Sequence, residues 1–175
     1  ALDEAGRLQS MFEALLRIAR LESGPAEPTE AVDLTTLLED AADLHGPAAE
    51  DRGQTLTAEI APGLAVDGDP DLIFQMISNL LDNAVKYAPE GGAVRLSAAG
   101  DLGGVSVTVT DNGPGVAEKD RARVFERFYR RSNDPNGFGL GLSLVAAAAE
   151  RHKATITLAD ADPGLRVTVR FPTAV

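Results

Sequence analysis

Four short stretches of the sequence carry side chains of the kinds that bind a nucleotide and its metal ion. They occupy residues 79–87, 111–115, 125–130 and 137–142. In that order they provide two amides with a lysine, an aspartate beside glycines, two arginines among aromatic residues, and an alternating run of glycines. Each stretch alone is weak evidence, but their combination predicts a site for Mg·ATP.

The first stretch ends a predicted helix over residues 70–87, which starts with an aspartate cap and a proline. Asn79, Asn83 and Lys86 recur at helical spacing and form a polar stripe beside the apolar face. An amide oxygen suits Mg²⁺, which keeps several waters and takes its other ligands from phosphate. Lys86 would neutralise phosphate charge, and Tyr87 would offer a ring face or a hydroxyl to the nucleotide.

The second stretch begins at Asp111, directly after a predicted strand over residues 104–110. A carboxylate at a strand end can accept a hydrogen bond from an exocyclic amine such as N6 of adenine, and the glycines that follow let backbone approach a base closely. Taken alone, the stretch is better explained as an ordinary Asp-Asn-Gly turn.

The last stretch places Gly137, Gly139 and Gly141 at the start of a predicted helix over residues 140–151. Glycine-rich backbone at a helix N-terminus presents N–H groups and a positive dipole end to phosphate. The pattern is not a dinucleotide fingerprint, because no βαβ strand precedes it, and Gly-Lys-Ser/Thr occurs nowhere in the chain. A different ATP-binding design is therefore indicated.

Composition narrows the classes of function. The chain has 175 residues, a hydrophobic fraction of 44% and a formal charge of −11, which argues against non-specific nucleic-acid binding. It has no cysteine, so disulfides and thiolate metal sites are excluded. One basic cluster reverses the overall charge, and it is either a solvated loop or a polyphosphate site. Its members are Lys119, Arg121, Arg123, Arg127, Arg130 and Arg131.

The rest of the chain predicts an α+β domain behind one long helix. Residues 1–23 carry apolar side chains at bundle spacing and require partner helices, and residues 25–32 form a linker with two prolines. Residues 33–175 form the ATP-binding domain, in which Asp33 caps a helix that ends near Gly53. An antiparallel-rich sheet with helices on one face is expected. Its strands are predicted at 54–60, 64–67, 93–99, 104–110, 154–159 and 165–171.

The four stretches resemble the N, G1, F and G2 boxes of sensor histidine kinases, within the superfamily of gyrase, mismatch-repair and heat-shock chaperone ATPases. The resemblance covers about residues 33–172 and implies the two-layer α/β sandwich of that superfamily, the Bergerat fold. Residues 1–23 resemble the second helix of the dimerisation and phosphotransfer domain, and residues 1–24 would therefore belong to that domain.

The resemblance also implies roles for particular residues. Asn83 would be the Mg²⁺ ligand with Asn79 assisting, while Lys86 and Arg130 would contact phosphates; these four are the catalytic candidates. Asp111 would accept a hydrogen bond from adenine N6. With Tyr87, the remaining nucleotide contacts would come from Gly113, Gly115, Phe125, Phe128, Gly137, Phe138, Gly139, Leu140, Gly141 and Leu142.

One residue favours phosphoryl transfer over hydrolysis. Hydrolysing relatives carry a glutamate four residues before the metal-binding asparagine, and Asn79 stands there in this chain. Because an amide cannot act as a base, water would stay unactivated and the γ-phosphoryl would pass to a histidine. Two alternatives remain: a non-catalytic phosphotransfer relay with a decayed ATPase-like domain, or an ATP-hydrolysing or serine-kinase relative.

The phosphoacceptor histidine expected on the first bundle helix is missing. The only histidines, His45 and His152, are expected to be structural or solvent-facing. The chain should therefore bind Mg·ATP without phosphorylating itself, and the missing initiator methionine suggests a piece of a longer protein. The expected partners are ATP, the phosphoacceptor helix of its own kinase, a cognate response regulator and a second copy bound through the bundle helix, with no nucleic acid. A cytoplasmic location is expected, either free or as the cytoplasmic portion of a membrane-bound sensor.

Overall fold

The computed structural model describes residues 2–25, 29–129 and 139–173. A five-stranded sheet is covered by helices, and one long helix precedes it. The helices are α1 (Leu2–Ser23), α2 (Leu34–Asp51), α3 (Pro70–Tyr87) and α4 (Gly141–Arg151). The strands are β1 (Glu30–Asp33), β2 (Thr55–Ile60), β3 (Ala65–Gly68), β4 (Ala93–Asp101), β5 (Gly104–Asp111), β6 (Thr155–Asp160) and β7 (Leu165–Pro172).

The sheet has the strand order β2-β4-β5-β7-β6, in which only β2 and β4 are parallel. This arrangement confirms the predicted α+β class with an antiparallel-rich sheet. A separate two-stranded ribbon pairs β1 with β3. Strand β1 was not predicted: it overlaps the last three residues of the predicted linker and ends at Asp33. It has four residues, of which only Val32 is buried, and this is too short for an alternation to be recognised.

Alternation along the strands separates a buried face of the sheet from a more exposed one. On β5, Val105, Val107 and Val109 are buried and belong to one core with the apolar faces of α2, α3 and α4. The opposite face carries polar pairs, such as the hydroxyls of Thr108 and Thr168 at 3.0 Å. The helices therefore form one layer and the sheet the other, as predicted.

Two aspartates start the helices of the domain as predicted. Asp33 accepts a hydrogen bond from the N–H of Thr36 at 3.1 Å, and Asp69 accepts one from Leu72 at 3.1 Å. The bond from the Thr36 backbone lowers the pKa of Asp33. Pro70 occupies the first turn of α3, where its missing N–H costs nothing.

Helix α1 packs along α4, with contacts near both ends of α4. Ile18 is fully buried in a small cluster with Leu140 and Leu144. The guanidinium of Arg151 donates hydrogen bonds at 3.2 Å to the carbonyls of Leu21 and Gly24, so it caps the carboxyl end of α1.

A second arginine also holds this end of α1, since Arg127 forms an ion pair with Glu22. Further towards the N-terminus, Leu8, Phe12 and Leu16 remain exposed on α1. No helix in the described ranges is both long and apolar enough to cross a membrane.

We expect Arg151→Met to loosen the C-terminal part of α1 while preserving the core. The substitution keeps the apolar stem but removes the donors to the α1 carbonyls. Hydrogen exchange should accelerate selectively in the last turns of α1. Arg95→Met is the matched control, because Arg95 forms only an exposed ion pair with Glu59 at 3.7 Å. Equal exchange in α1 of the two variants would contradict the capping role.

Candidate functional site

One pocket of about 270 Å³ lies between α3, the N-terminus of α4 and the ends of β5 and β7 that face them. Its walls mix apolar side chains with a few polar groups, as ligand sites commonly do. The lining residues are Ala14, Leu80, Asp82, Asn83, Ala84, Lys86, Tyr87, Val109, Asp111, Gly115, Val116, Val124, Tyr129, Gly139, Leu140, Gly141, Leu142, Leu165 and Val167.

Helix α3 supplies the polar wall of the pocket. Its apolar face is buried in the core, and this fixes the rotation of the helix about its axis. Asn83, Lys86 and Tyr87 consequently face the pocket. The ammonium of Lys86 also lies 5.4 Å from the centre of the Tyr87 ring, a cation–π distance.

Asp111 supplies a carboxylate at the opposite wall. It continues the alternation of Val105, Val107 and Val109, so its side chain lies on the helix-covered face of the sheet and is only 8% exposed. Its Oδ1 accepts a hydrogen bond from the N–H of Gly113 at 2.8 Å. The carboxylate is thus buried and oriented from its own loop.

The N-terminus of α4 closes the pocket near Asn83. A Cβ added to Gly141 would lie 3.8 Å from the Asn83 Nδ2, so helix backbone stands close to that amide. Leu140 is the N-cap and its apolar side chain accepts no hydrogen bond. The first N–H groups of α4 are therefore not capped by that side chain and are suited to an anion.

Gly139 packs against the backbone just before this helix. Its φ is +69°, and an added Cβ would stand 2.6 Å from the carbonyl oxygen of Tyr129. Its own carbonyl accepts a hydrogen bond from Phe128 at 3.0 Å. Glycine is required here both by the dihedral angle and by the close approach.

The pocket brings together nine of the residues singled out from the sequence. They are Asn83, Lys86, Tyr87, Asp111, Gly115, Gly139, Leu140, Gly141 and Leu142. Four others stand off its walls, namely Asn79, Gly113, Phe125 and Phe128. Arg130, Gly137 and Phe138 lie outside the described residues.

Two of the four residues off the walls, Asn79 and Gly113, make contacts that support the pocket. Asn79 donates from Nδ2 to the Gly141 carbonyl at 3.5 Å, which links α3 to α4. Gly113 packs on the Tyr87 carbonyl, where an added Cβ would approach to 2.4 Å. Phe128 has a positive φ and is 53% exposed.

The described arginines of the basic cluster pair with acidic side chains. Arg121 contacts Asp160 at 2.6 Å, and Arg123 contacts Glu126 at 3.8 Å while lying 4.9 Å from the Tyr129 ring centre. These pairs favour a structural role for this part of the cluster over a polyphosphate site. Arg130 and Arg131 lie outside the described residues.

Both histidines stand away from the pocket walls. His45 Nε2 is 2.6 Å from Ser78 Oγ between α2 and α3, and burial lowers its pKa while nearby Asp82 opposes that shift. His152 accepts a hydrogen bond at Nε2 from the Asp69 N–H at 3.0 Å, so its Nδ1 donates to the Ala148 carbonyl at 2.7 Å. Each histidine joins two segments of the domain.

Two wall or support residues could not be found from the sequence. Ala14 reaches the pocket from α1, and an alanine on a helix gives no functional signal. Gly164 has a φ of +109°, and an added Cβ would lie 1.8 Å from the Asp111 carbonyl oxygen. The sequence identifies Gly164 only as part of a turn, because its contact with the Asp111 loop is tertiary.

Comparison with known proteins agrees with this geometry. The family model described as histidine kinase-, DNA gyrase B- and HSP90-like ATPase matches residues 68–175. A sensor-like histidine kinase SenX3 from Mycolicibacterium smegmatis is 36% identical over 160 residues, which are 89% of this chain and 42% of SenX3. The chain thus spans less than half the length of that relative.

Two solved structures are similar in both sequence and fold. The mycobacterial sensor histidine kinase MprB has 31% identity and a TM-score of 0.73, covering 82% of this chain and 97% of the MprB chain. Full-length ShkA in complex with AMPPNP has 32% identity and a TM-score of 0.85, covering all of this chain and 38% of ShkA.

The class defined by the fold and the pocket is the histidine kinase-, gyrase- and HSP90-like ATPase. The chain belongs to this family, in its sensor histidine kinase branch.

We expect Gly164→Ala to destabilise the domain through the Asp111 loop. The new Cβ collides with backbone and must also adopt a disfavoured φ, so a loss above about 2 kcal/mol is expected in urea unfolding. Gly63→Ala is the control, since Gly63 has a φ of +70° but no described atom within 4 Å of an added Cβ. It should lose only about 1 kcal/mol. Similar losses in both variants would show that the contact with Asp111 is unimportant.

Proposed function

We propose that this chain binds Mg·ATP in the pocket and donates the γ-phosphoryl group to a histidine on a dimerisation domain, for relay to a response-regulator aspartate. The observation that carries the proposal is the convergence on one cavity of a buried carboxylate, an amide, a lysine and a helix N-terminus. These groups match the two ends of ATP, and their placement in a histidine kinase fold supports the same role.

The Asp111 end of the pocket suits the adenine base. Val109, Leu165 and Val167 give this end an apolar surface on which a planar ring can lie. An ionised carboxylate accepts several hydrogen bonds at once, and the Gly113 N–H supplies one of those that Asp111 accepts. The Asp111 carboxylate can therefore accept a hydrogen bond from N6 of adenine, whereas the carbonyl that guanine carries at that position offers no donor.

The Asn83 end of the pocket suits the phosphates. Lys86 brings positive charge, and the N-terminus of α4 brings N–H groups and the positive end of a helix dipole. Both contributions matter in a chain with a formal charge of −11, because the remaining protein repels a polyphosphate.

The donor set fits Mg²⁺. The described residues contain no group of three or more His, Asp or Glu side chains that could hold a metal without help. One amide oxygen from Asn83, with phosphate oxygens and water, is the kind of set that Mg²⁺ accepts. When bound, the ion would neutralise phosphate charge, and Asn79, one helical turn before Asn83, would support the site through its link to Gly141.

The side chain of Asn79 on α3 favours phosphoryl transfer over hydrolysis. Asn79 is an amide and cannot take a proton from water. Holding ATP without activating water keeps the γ-phosphoryl available for a histidine supplied by another segment. The exposed Leu8, Phe12 and Leu16 on α1 support the proposal that this helix packs in a bundle with that segment and with a second copy.

We expect Asn83→Ala to weaken nucleotide binding only when Mg²⁺ is present. Loss of a metal ligand should raise the dissociation constant for Mg·AMPPNP about tenfold or more in calorimetry, with the melting temperature nearly unchanged. With EDTA, the variant and the wild type should bind alike.

Gln75→Ala is the matched control for that experiment. It removes an amide from the same helix but from a position off the pocket walls. It should leave the Mg-dependent affinity unchanged. A large loss of stability in Asn83→Ala would instead assign Asn83 a structural role, and absence of wild-type binding would favour the non-catalytic relay.

We also expect the chain to hold ATP without consuming it. Incubation with labelled ATP should release little phosphate until a dimerisation segment with a phosphoacceptor histidine is added. Acid-labile label should then appear on that histidine. Steady phosphate release by the chain alone would contradict phosphoryl transfer and favour a hydrolysing relative.

A further inference from the structure

The carboxyl end of α3 lacks the usual means of capping a helix. Lys86 and Tyr87 form its last turn, Ala88 follows as the C-cap in an extended conformation, and Pro89 offers no N–H. Pro89 also occupies the position after the C-cap, where a glycine would provide a left-handed cap. The last carbonyls of α3 therefore need donors from elsewhere in the fold.

Those donors come from the turn between α2 and β2. Gln54 is only 5% exposed, and its Nε2 donates to the carbonyls of Val85 at 2.9 Å, Ala88 at 3.0 Å and Pro89 at 3.2 Å. The NH2 group of one buried side chain, with its two hydrogens, thus lies within hydrogen-bonding distance of three carbonyls at and just after the end of α3, more than thirty residues away in sequence.

Gln54 is itself fixed in place, and a neighbour assists it. Its backbone N–H donates to the Ala49 carbonyl at 2.9 Å, which ties it to the end of α2. Arg52 donates from Nη2 to the Ala88 carbonyl at 3.2 Å and reaches the Lys86 carbonyl at 3.5 Å. A guanidinium at a helix C-terminus also interacts favourably with the helix dipole.

The same turn of α3 is in contact with the Asp111 loop on another side. The Tyr87 carbonyl is so close to Gly113 that an added Cβ would approach it to 2.4 Å. The last turn of α3 is thereby held between Gln54 and the loop that carries Asp111. Displacing this turn would move Lys86 and Tyr87 in the pocket wall.

We propose that Gln54 is a positioning residue for nucleotide binding: its buried amide holds the last turn of α3 so that Lys86 and Tyr87 meet the nucleotide. The inference rests on the proposed binding of ATP in this pocket. Gln54 lines no part of the pocket and acts only through the backbone of α3.

The decisive variant is Gln54→Met, which keeps the shape and removes the donor. Gln54 Oε1 has no hydrogen-bond partner among the described residues, so the exchange deletes only the bonds to the carbonyls of Val85, Ala88 and Pro89. If the last turn is then formed in about a tenth of the molecules, the dissociation constant for Mg·AMPPNP rises about tenfold.

Two comparisons separate positioning from a general loss of stability. Thr35→Val is the matched control, because Thr35 Oγ1 also makes two hydrogen bonds, to Ala61 and Leu64 at 2.9 Å each, far from the pocket. It should lower the melting temperature without changing the affinity. In a Lys86→Met background, Gln54→Met should cost less affinity than in the wild type, because one of the two pocket side chains that it positions is gone.

Each outcome decides the proposal. Unchanged affinity in Gln54→Met, with wild-type binding intact, overturns the positioning role and leaves the proposed function standing. Equal affinity losses with and without Lys86 overturn it as well. If Gln54→Met does not fold, Arg52→Met provides the test, since Arg52 is exposed and makes the weaker bonds to the same turn. Arg52→Met should weaken nucleotide binding about two- to threefold, because it displaces the last turn of α3 less. An unchanged affinity would reject the proposal.

Discussion

The burial of one face of α3 is the constraint on which the rest of the site depends. Ile73, Ile77 and Leu81 are fully buried, and each such side chain contributes about 1.5–3 kcal/mol. A single hydrogen bond contributes about 0.5–1.5 kcal/mol, so packing rather than polar contacts sets the rotation of the helix. Asn83 and Lys86 face the pocket because the core leaves them no other orientation.

Burial of one face of the sheet fixes the opposite wall of the pocket in the same way. The alternation that buries Val107 and Val109 also places Asp111 on the helix-covered face, although a carboxylate would be more stable in water. Its loop compensates with the Gly113 hydrogen bond, and Gly164 lets the neighbouring turn approach the Asp111 backbone. Glycines thus allow a buried acid to stand at the edge of a packed core.

Much of the fold and about half of the candidate site follow from local sequence signals. The caps at Asp33 and Asp69, the stripe on α3 and the alternation of β5 are determined by residues close in sequence. The predicted bundle helix agrees with α1 to within one residue at its start. The stripe, the alternation and the bundle helix are readable because each pattern is repeated over several turns or strand residues, and the caps because each acts within a single helical turn.

What the sequence could not provide depends on contacts between distant segments. Strand β1 exists because β3 pairs with it, and four residues of its own do not specify it. Asn79, the residue that favours phosphoryl transfer over hydrolysis in the sequence, stands off the pocket walls in a link to α4. Gln54 gives no functional signal in the sequence. A glutamine after a helix has no expected partner until the fold brings the end of α3 beside it.

Because Ala14 lies in the pocket wall, a fragment that lacks α1 would have an incomplete pocket. The family match begins at residue 68, yet one wall of the cavity comes from a helix that ends at Ser23. A fragment cut between α1 and β1 would keep every polar group of the site but present its ligand with a more open cavity. Any ligand that touches Ala14 is also linked to the docking of α1. Such linkage is reciprocal. If the ligand stabilises the docked position of α1 by a given free energy, then docking α1 strengthens binding of the ligand by the same free energy.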